Sequence, residues 1–160
     1  QNASNLQIQV LREGSDLTVF TYGYLVPEFL YVADYLSAYN VSIQIISTAS
    51  LSLPDISFIY KRAQVTGHLL FAEPFTIESS FTSSIAIKLV SHMPENISFS
   101  MTYLSLPFAH EPTSYYLTKS RYLTPTTIVN KINSILSTDI PPPPRPFHHD
   151  VPGDWFTGPF

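Results

Sequence analysis

Glu73 closes an apolar run, His68 to Ala72 (HLLFA), and so occupies a strand end, where open α/β sheets place their ligands. General acid–base work needs a second carboxylate or a histidine beside it, and no such partner is placed there by the sequence. A hydrogen bond from Glu73 to the N-terminus of the following helix is the preferred reading. His148, His149 and Asp150 carry metal-ligand side chains, but neighbours in an extended segment point apart and no further ligand lies near. His68, His92 and His110 have no ligand spacing and read as structural or surface residues. The five glycines, Gly14, Gly23, Gly67, Gly153 and Gly158, never form a phosphate loop, and no G-x-S-x-G elbow occurs among the many serines. Tyr115 and Tyr116 could stack bases, yet they lack accompanying cations and read as packing. With no cysteine, disulfides, cysteine-ligated zinc and thiol catalysis are excluded within the chain. No catalytic, cofactor or metal residue is assigned, and the chain is not expected to be an enzyme.

Positioning any of these groups falls to a scaffold that the bulk numbers constrain. At 160 residues the chain fits one domain with an extension. Apolar residues make up 44 % but charged residues only 12 %, about half the usual share, so partner proteins are expected to cover part of its surface. A net charge of −4 and eight scattered basic residues argue against nucleic acid. No apolar run approaches the roughly 18 residues of a membrane span. Gln1 is not an initiator, which suggests a removed leader or an unseen start. Sequons occur at Asn2, Asn40 and Asn96; the last two fall where a helix gives way to a strand, a natural place for Asn.

Asp16 to Tyr22 (DLTVFTY) reads as a buried strand that Gly23 breaks. A helix follows to about Tyr39, with Pro27 in its first turn and Phe29, Leu30, Ala33 and Leu36 as its apolar stripe. Val41 to Ile46 is a second strand, so a parallel βαβ unit is expected. Asp55 opens a short helix through Arg62, His68 to Ala72 is a third strand, and Ile77 to Met93 reads as helical until Pro94. Ile97 to Tyr103 alternates like a half-buried strand, and Thr124-Pro125 starts a last helix whose buried face is Ile128, Ile132 and Leu136.

After Thr138 the composition changes: residues 139–160 contain seven prolines and the only tryptophan. Pro141, Pro142, Pro143 and Pro144 favour a polyproline II rod, which cannot build its own core. With Arg145 and Pro146 the run resembles a ligand for proline-recognition domains, although a stiff spacer is the preferred reading. Phe147, Trp155, Phe156 and Phe160 are then expected to dock onto a surface elsewhere.

The order of elements resembles the C-terminal domain shared by transketolase and the β subunits of 2-oxo acid dehydrogenases such as pyruvate dehydrogenase. Gly14 to Gly23 (GSDLTVFTYG) is similar to that family's G-x-x-(I/V)-T-(I/V)-V-(T/S)-Y-G start. Val32 to Leu36 sits where E-A-A-x-x-L belongs, and Ile46 to Asp55 matches the loop ending in P-(L/M)-D in length and final Asp. Leu70 to Glu73 corresponds to V-x-E-E, Phe99 to Phe108 occupies the place of V-T-G-x-D-x-P-x-P-Y, and Leu123 to Ile132 resembles the last helix start. The glycines expected after the third strand are missing from Pro74 to Ser83, the loop arginine is replaced around Ala49, and T-G-x-D is replaced around Ser100 to Tyr103. In this family the thiamine-activating glutamate and diphosphate-binding residues belong to preceding domains.

The expected fold is therefore three-layer α/β/α with a mostly parallel five-stranded sheet. Residues 1–13 read as an N-terminal extension, 14–138 as the transketolase C-terminal-like domain and 139–160 as an extended Pro/aromatic-rich tail. The resemblance and the lost loop motifs imply a non-catalytic accessory subunit of a larger, mitochondrial complex, without nucleic acid or a membrane span of its own. One alternative is a separately encoded part of a thiamine diphosphate-dependent enzyme whose catalytic domains lie on partner chains. Another is a secreted binding protein, if the sequons are used.

Overall fold

Leu17 to Thr21 (LTVFT) is buried at every position, the pattern of a strand covered on both faces, and it forms the middle of the sheet as β2. A computed structural model of the chain describes residues 8–51, 55–92, 99–110, 113–114, 117 and 121–144. Within them β2 (Leu17–Thr21) is followed by α1 (Leu25–Ser37), β3 (Ile43–Ser47), α2 (Ile56–Thr66), β4 (His68–Thr76), α3 (Phe81–His92), β5 (Ser100–Leu106) and α4 (Pro125–Leu136), while β1 (Gln9–Arg12) precedes them. The sheet has five strands in the order β1-β3-β2-β4-β5. All neighbours run parallel except β1, which is antiparallel to β3. The expected three-layer α/β/α fold with a mostly parallel sheet is what the chain adopts.

Alternating side chains divide the core. Val19, Ile43, Ile45, Leu70 and Ala72 meet α1 and α4 through Phe29, Ala33, Ile128 and Ile132. Phe20, Ile46, Leu69 and Phe71 meet α2 and α3 through Ile59, Ala63, Ile85 and Leu89. Period-two strands and period-3.6 helices thus agree on which side chains are inside.

The element ends follow local chemistry. Asp55 caps α2 by accepting from the N–H groups of Ser57 and Phe58, at 2.9 and 3.3 Å. The helix runs past Arg62 to Gly67, which closes it in the left-handed region at φ 75°. Thr124 caps α4, accepting from the Thr127 N–H at 3.2 Å, with Pro125 in the first turn as expected.

Other boundaries also differ from the sequence reading. β4 continues through Glu73 and Pro74 to Thr76, because its pairing with β2 ends at Phe71 and its ladder with β5 shifts register between Ala72 and Thr76. A proline without an N–H is tolerated at such an irregularity. The helix expected from Ile77 is divided into a 3-10 turn, Ile77–Ser79, and α3 from Phe81. Ser80 is extended between them, and its Oγ accepts from the Ser83 N–H at 3.0 Å as a cap. Finally β5, Ser100–Leu106, extends past the expected end at Tyr103, while Ile97 and Ser98 lie outside the described residues.

Residues 9–12, read as part of an extension, form edge strand β1, with a register shift between Val10 and Arg12. Arg12 pairs with Asp34 on α1, while Glu13 accepts from Arg62 on α2 at 2.8 Å and from Gln44 at 3.1 Å. The edge is thereby tied to both helical layers. Gly14 explains why the first motif begins with glycine: a Cβ there would stand 2.2 Å from the Ile43 carbonyl carbon.

Candidate functional site

The strand order reverses between β2 and β4, since β3 lies to one side of β2 and β4 to the other. Such a switch point, at the carboxyl ends of the strands, is where open α/β sheets hold ligands. Here it brings together Tyr22, just past β2, and Glu73 near the end of β4.

Glu73 is fully buried, and both of its carboxylate oxygens are engaged. Tyr22 Oη donates to Oε1. Thr82 supplies two donors to Oε2, its Oγ1 at 2.9 Å and its backbone N–H at 3.3 Å. Because Thr82 lies in the first turn of α3, the carboxylate faces the positive end of that helix. This is the structural hydrogen bond preferred for Glu73 on sequence grounds. Phe81 closes the cluster edge-on to Tyr22, with ring centroids 5.8 Å apart. Burial first, then the hydrogen bond and the charge of Glu73, push the Tyr22 phenol well above its ordinary range. Burial and the Glu73 charge move Tyr103 in the same direction. Chemically the arrangement holds a neutral phenol against an internally bonded carboxylate. Thr82 and Tyr22 were not singled out from sequence, because a nine-residue separation across a turn and a pairing between strands leave no local signal.

The other sequence candidates lie apart from this cluster. His68 shares a hydrogen bond with Ser100 through Nδ1 at 2.8 Å. It lines a 430 Å³ cavity at the opposite end of the sheet, with Asp16, Asn40, Thr66 and Thr138. His110 is exposed, and its carbonyl accepts from Arg121, as do those of Pro107 and Ala109. His92 ends α3. Among the described residues no group of three or more metal-ligating side chains is close enough to hold an ion. His148, His149, Asp150, Tyr115 and Tyr116 lie outside the described residues. So do the sequons at Asn2 and Asn96, whereas Asn40 is exposed in the left-handed region at φ 58°.

The root of the tail is pinned to the α1 and α4 layer. Asn133 on α4 bonds both backbone groups of Ile140, donating to its carbonyl at 2.9 Å and accepting from its N–H at 3.2 Å. Tyr35 Oη donates to the Pro141 carbonyl at 2.9 Å. Ile140 and Pro143 are buried, and Pro141, Pro142 and Pro144 are exposed. Arg145, Phe147, Trp155, Phe156 and Phe160 lie outside the described residues. On the other face, α3 and β5 flank an apolar groove of about 570 Å³ lined by Ala86, Ile87, Val90, Met101 and Tyr103. No helix among the described residues is long and apolar enough to cross a membrane.

Comparison with known proteins gives one family match: the model for the C-terminal domain of transketolase fits residues 6–128. No curated protein matches. Among solved structures, a chain described as split gene transketolase, inactive beta4 tetramer, is similar at a TM-score of 0.69 and 23 % identity. The match covers 84 % of this chain and 43 % of that one, so this chain spans less than half of the relative's length. At that identity the likeness is one of fold.

Proposed function

The chain belongs to the transketolase C-terminal domain family, and from that membership we propose that it acts as a non-catalytic, structural accessory subunit of a larger protein assembly. The observation that carries this reading lies at the carboxyl ends of the parallel strands. There the carboxylate nearest the switch point has both oxygens bonded within the chain. Leu51 beyond the end of β3, Phe75 in the last residues of β4 and Phe108 beyond β5 have side chains 59, 61 and 79 % exposed. Apolar side chains exposed together at one end of a sheet suit a protein partner better than a phosphorylated substrate. The low charge of the sequence supports the same conclusion, since a sparsely charged surface gains from being covered. The motif resemblance to 2-oxo acid dehydrogenase β subunits extends the proposal to a mitochondrial complex. Affinity isolation of the native chain followed by a mass-spectrometric inventory is the test: stoichiometric partner subunits are expected, and a free monomer would overturn the reading.

A second reading is favoured by one finding, the similarity to a chain described as split gene transketolase. On it, this chain completes a thiamine diphosphate-dependent enzyme whose cofactor domains sit on partner chains. Bound thiamine diphosphate and oxo-acid or ketose turnover in the native particle would establish it, and a particle lacking both would exclude it.

A further inference from the structure

Pro141 to Pro144 follow a chain segment that two helices hold in place. Asn133 on α4 bonds both backbone groups of Ile140, at 2.9 and 3.2 Å. Tyr35 on α1 donates to the Pro141 carbonyl at 2.9 Å, with the Pro142 carbonyl 3.4 Å away. A hydroxyl has one proton to give, so Tyr39 Oη, 3.1 Å from Tyr35 Oη, is the donor of that pair. The backbone that leaves this anchor has little choice. Proline holds its φ near about −65°, and a residue that precedes proline is kept out of the α region. Both constraints act on Pro141, Pro142 and Pro143, which leaves polyproline II. Three residues per turn put Pro141 and Pro144 on one edge of that rod, Pro142 on a second and Pro143 on the third. Pro143 is buried, whereas Pro141, Pro142 and Pro144 are exposed. The two edges that bound one face of the rod are therefore both open.

We propose that this face, formed by Pro141, Pro142 and Pro144, is a preformed docking surface for a proline-recognition domain of a partner protein. The run itself dictates what such a partner must offer. Prolines have no N–H and no polar side-chain atom, so the segment presents only carbonyl acceptors and apolar rings. A complementary groove has aromatic walls for the rings and side-chain donors for the carbonyls, which is how polyproline II segments are read. Anchoring adds to the fit. A loose segment loses conformational freedom on binding, whereas this one has given up much of it beforehand to Asn133 and Tyr35. A spacer would need no bond to α1 at all, so the contact with Tyr35 favours the ligand reading of the run over the spacer. The anchor lies toward the amino ends of the strands, where Leu136 and Thr138 line a cavity with Asp16 and His68. It is thus separate from the strand-end residues Leu51, Phe75 and Phe108.

The test uses the purified full chain and stands apart from the accessory-subunit reading. The chain is titrated with a panel of purified SH3, WW and EVH1 domains in a calorimeter, and saturable binding by at least one of them is expected. The double substitution Pro142→Ala and Pro144→Ala, at exposed positions, should weaken that binding by about tenfold or more with the unfolding midpoint unchanged. Tyr35→Phe removes the hydroxyl that holds the run and should weaken binding severalfold, because the partner must then order the segment itself. No binding across the panel, or binding indifferent to the proline substitutions, would overturn the proposal. Binding that is unchanged or tighter in Tyr35→Phe would overturn it too, since α1 would then be idle or a competitor for the segment.

Discussion

Glu73 shows how one side chain can be read in two ways and decided by its donors. A carboxylate that accepts from a phenol, a hydroxyl and a backbone amide inside the protein leaves three donors stranded if it is removed. Glu73→Ala should therefore lower unfolding free energy by about 2–4 kcal/mol in urea titrations, whereas the exposed Glu78→Ala should change it by less than about 0.5 kcal/mol. The Tyr22 phenol supplies a pH signature. Its folded pKa is raised above the ordinary value of 10.0, so its contribution is complete below pH 10 and is lost as pH rises toward the folded value. Urea midpoints measured from pH 8 to 11.5 should fall above pH 10, and Tyr22→Phe should flatten that fall, leaving the part due to the other raised phenols, Tyr35 and Tyr103. Gly14→Ala should cost about 1–3 kcal/mol, because its Cβ would meet strand backbone that has no room to move. Much of this was visible beforehand: a carboxylate at a strand end before a helix is a local pattern. Its partnership with Tyr22 was not, because strand pairing joins residues 51 apart.

Helices with their own start signals were the most legible elements. Thr124 and Pro125 fix the first residue of α4 by capping chemistry that needs no knowledge of the rest of the chain. Thr124→Ala should lower stability by about 1 kcal/mol, read as a shift in the urea midpoint. Boundaries that depend on neighbours were less legible. β4 outlasts its apolar run because β5 continues to pair with it, and Ser80 interrupts a helical pattern by acting as a cap. β1 escaped notice because a four-residue edge strand is only half buried and carries an arginine. At the other end Asn133 stands in for a missing strand partner. In Asn133→Ala, amide exchange at Ile140 should accelerate severalfold while Thr138, bonded to the Asn133 backbone carbonyl, keeps its protection. Equal loss at both amides would mean that α4 itself had frayed.

Among the described residues of this domain, two groups of exposed apolar side chains stand out. One is the end of the sheet marked by Leu51, Phe75 and Phe108, and the other is the α3–β5 groove. Alternating strands and amphipathic helices made the fold readable, since each element declares its buried face. Surfaces declare less, because an exposed Phe has the same spacing signal as a buried one, and the resemblance carried only ancestry. Isolation of the native chain under gentle conditions, with the intact particle weighed by native mass spectrometry and assayed for thiamine diphosphate, decides the role. The accessory-subunit account predicts a heteromeric particle of fixed stoichiometry in which this chain brings no cofactor or oxo-acid turnover. A free monomer, or a particle holding thiamine diphosphate and turning over substrate, would contradict it.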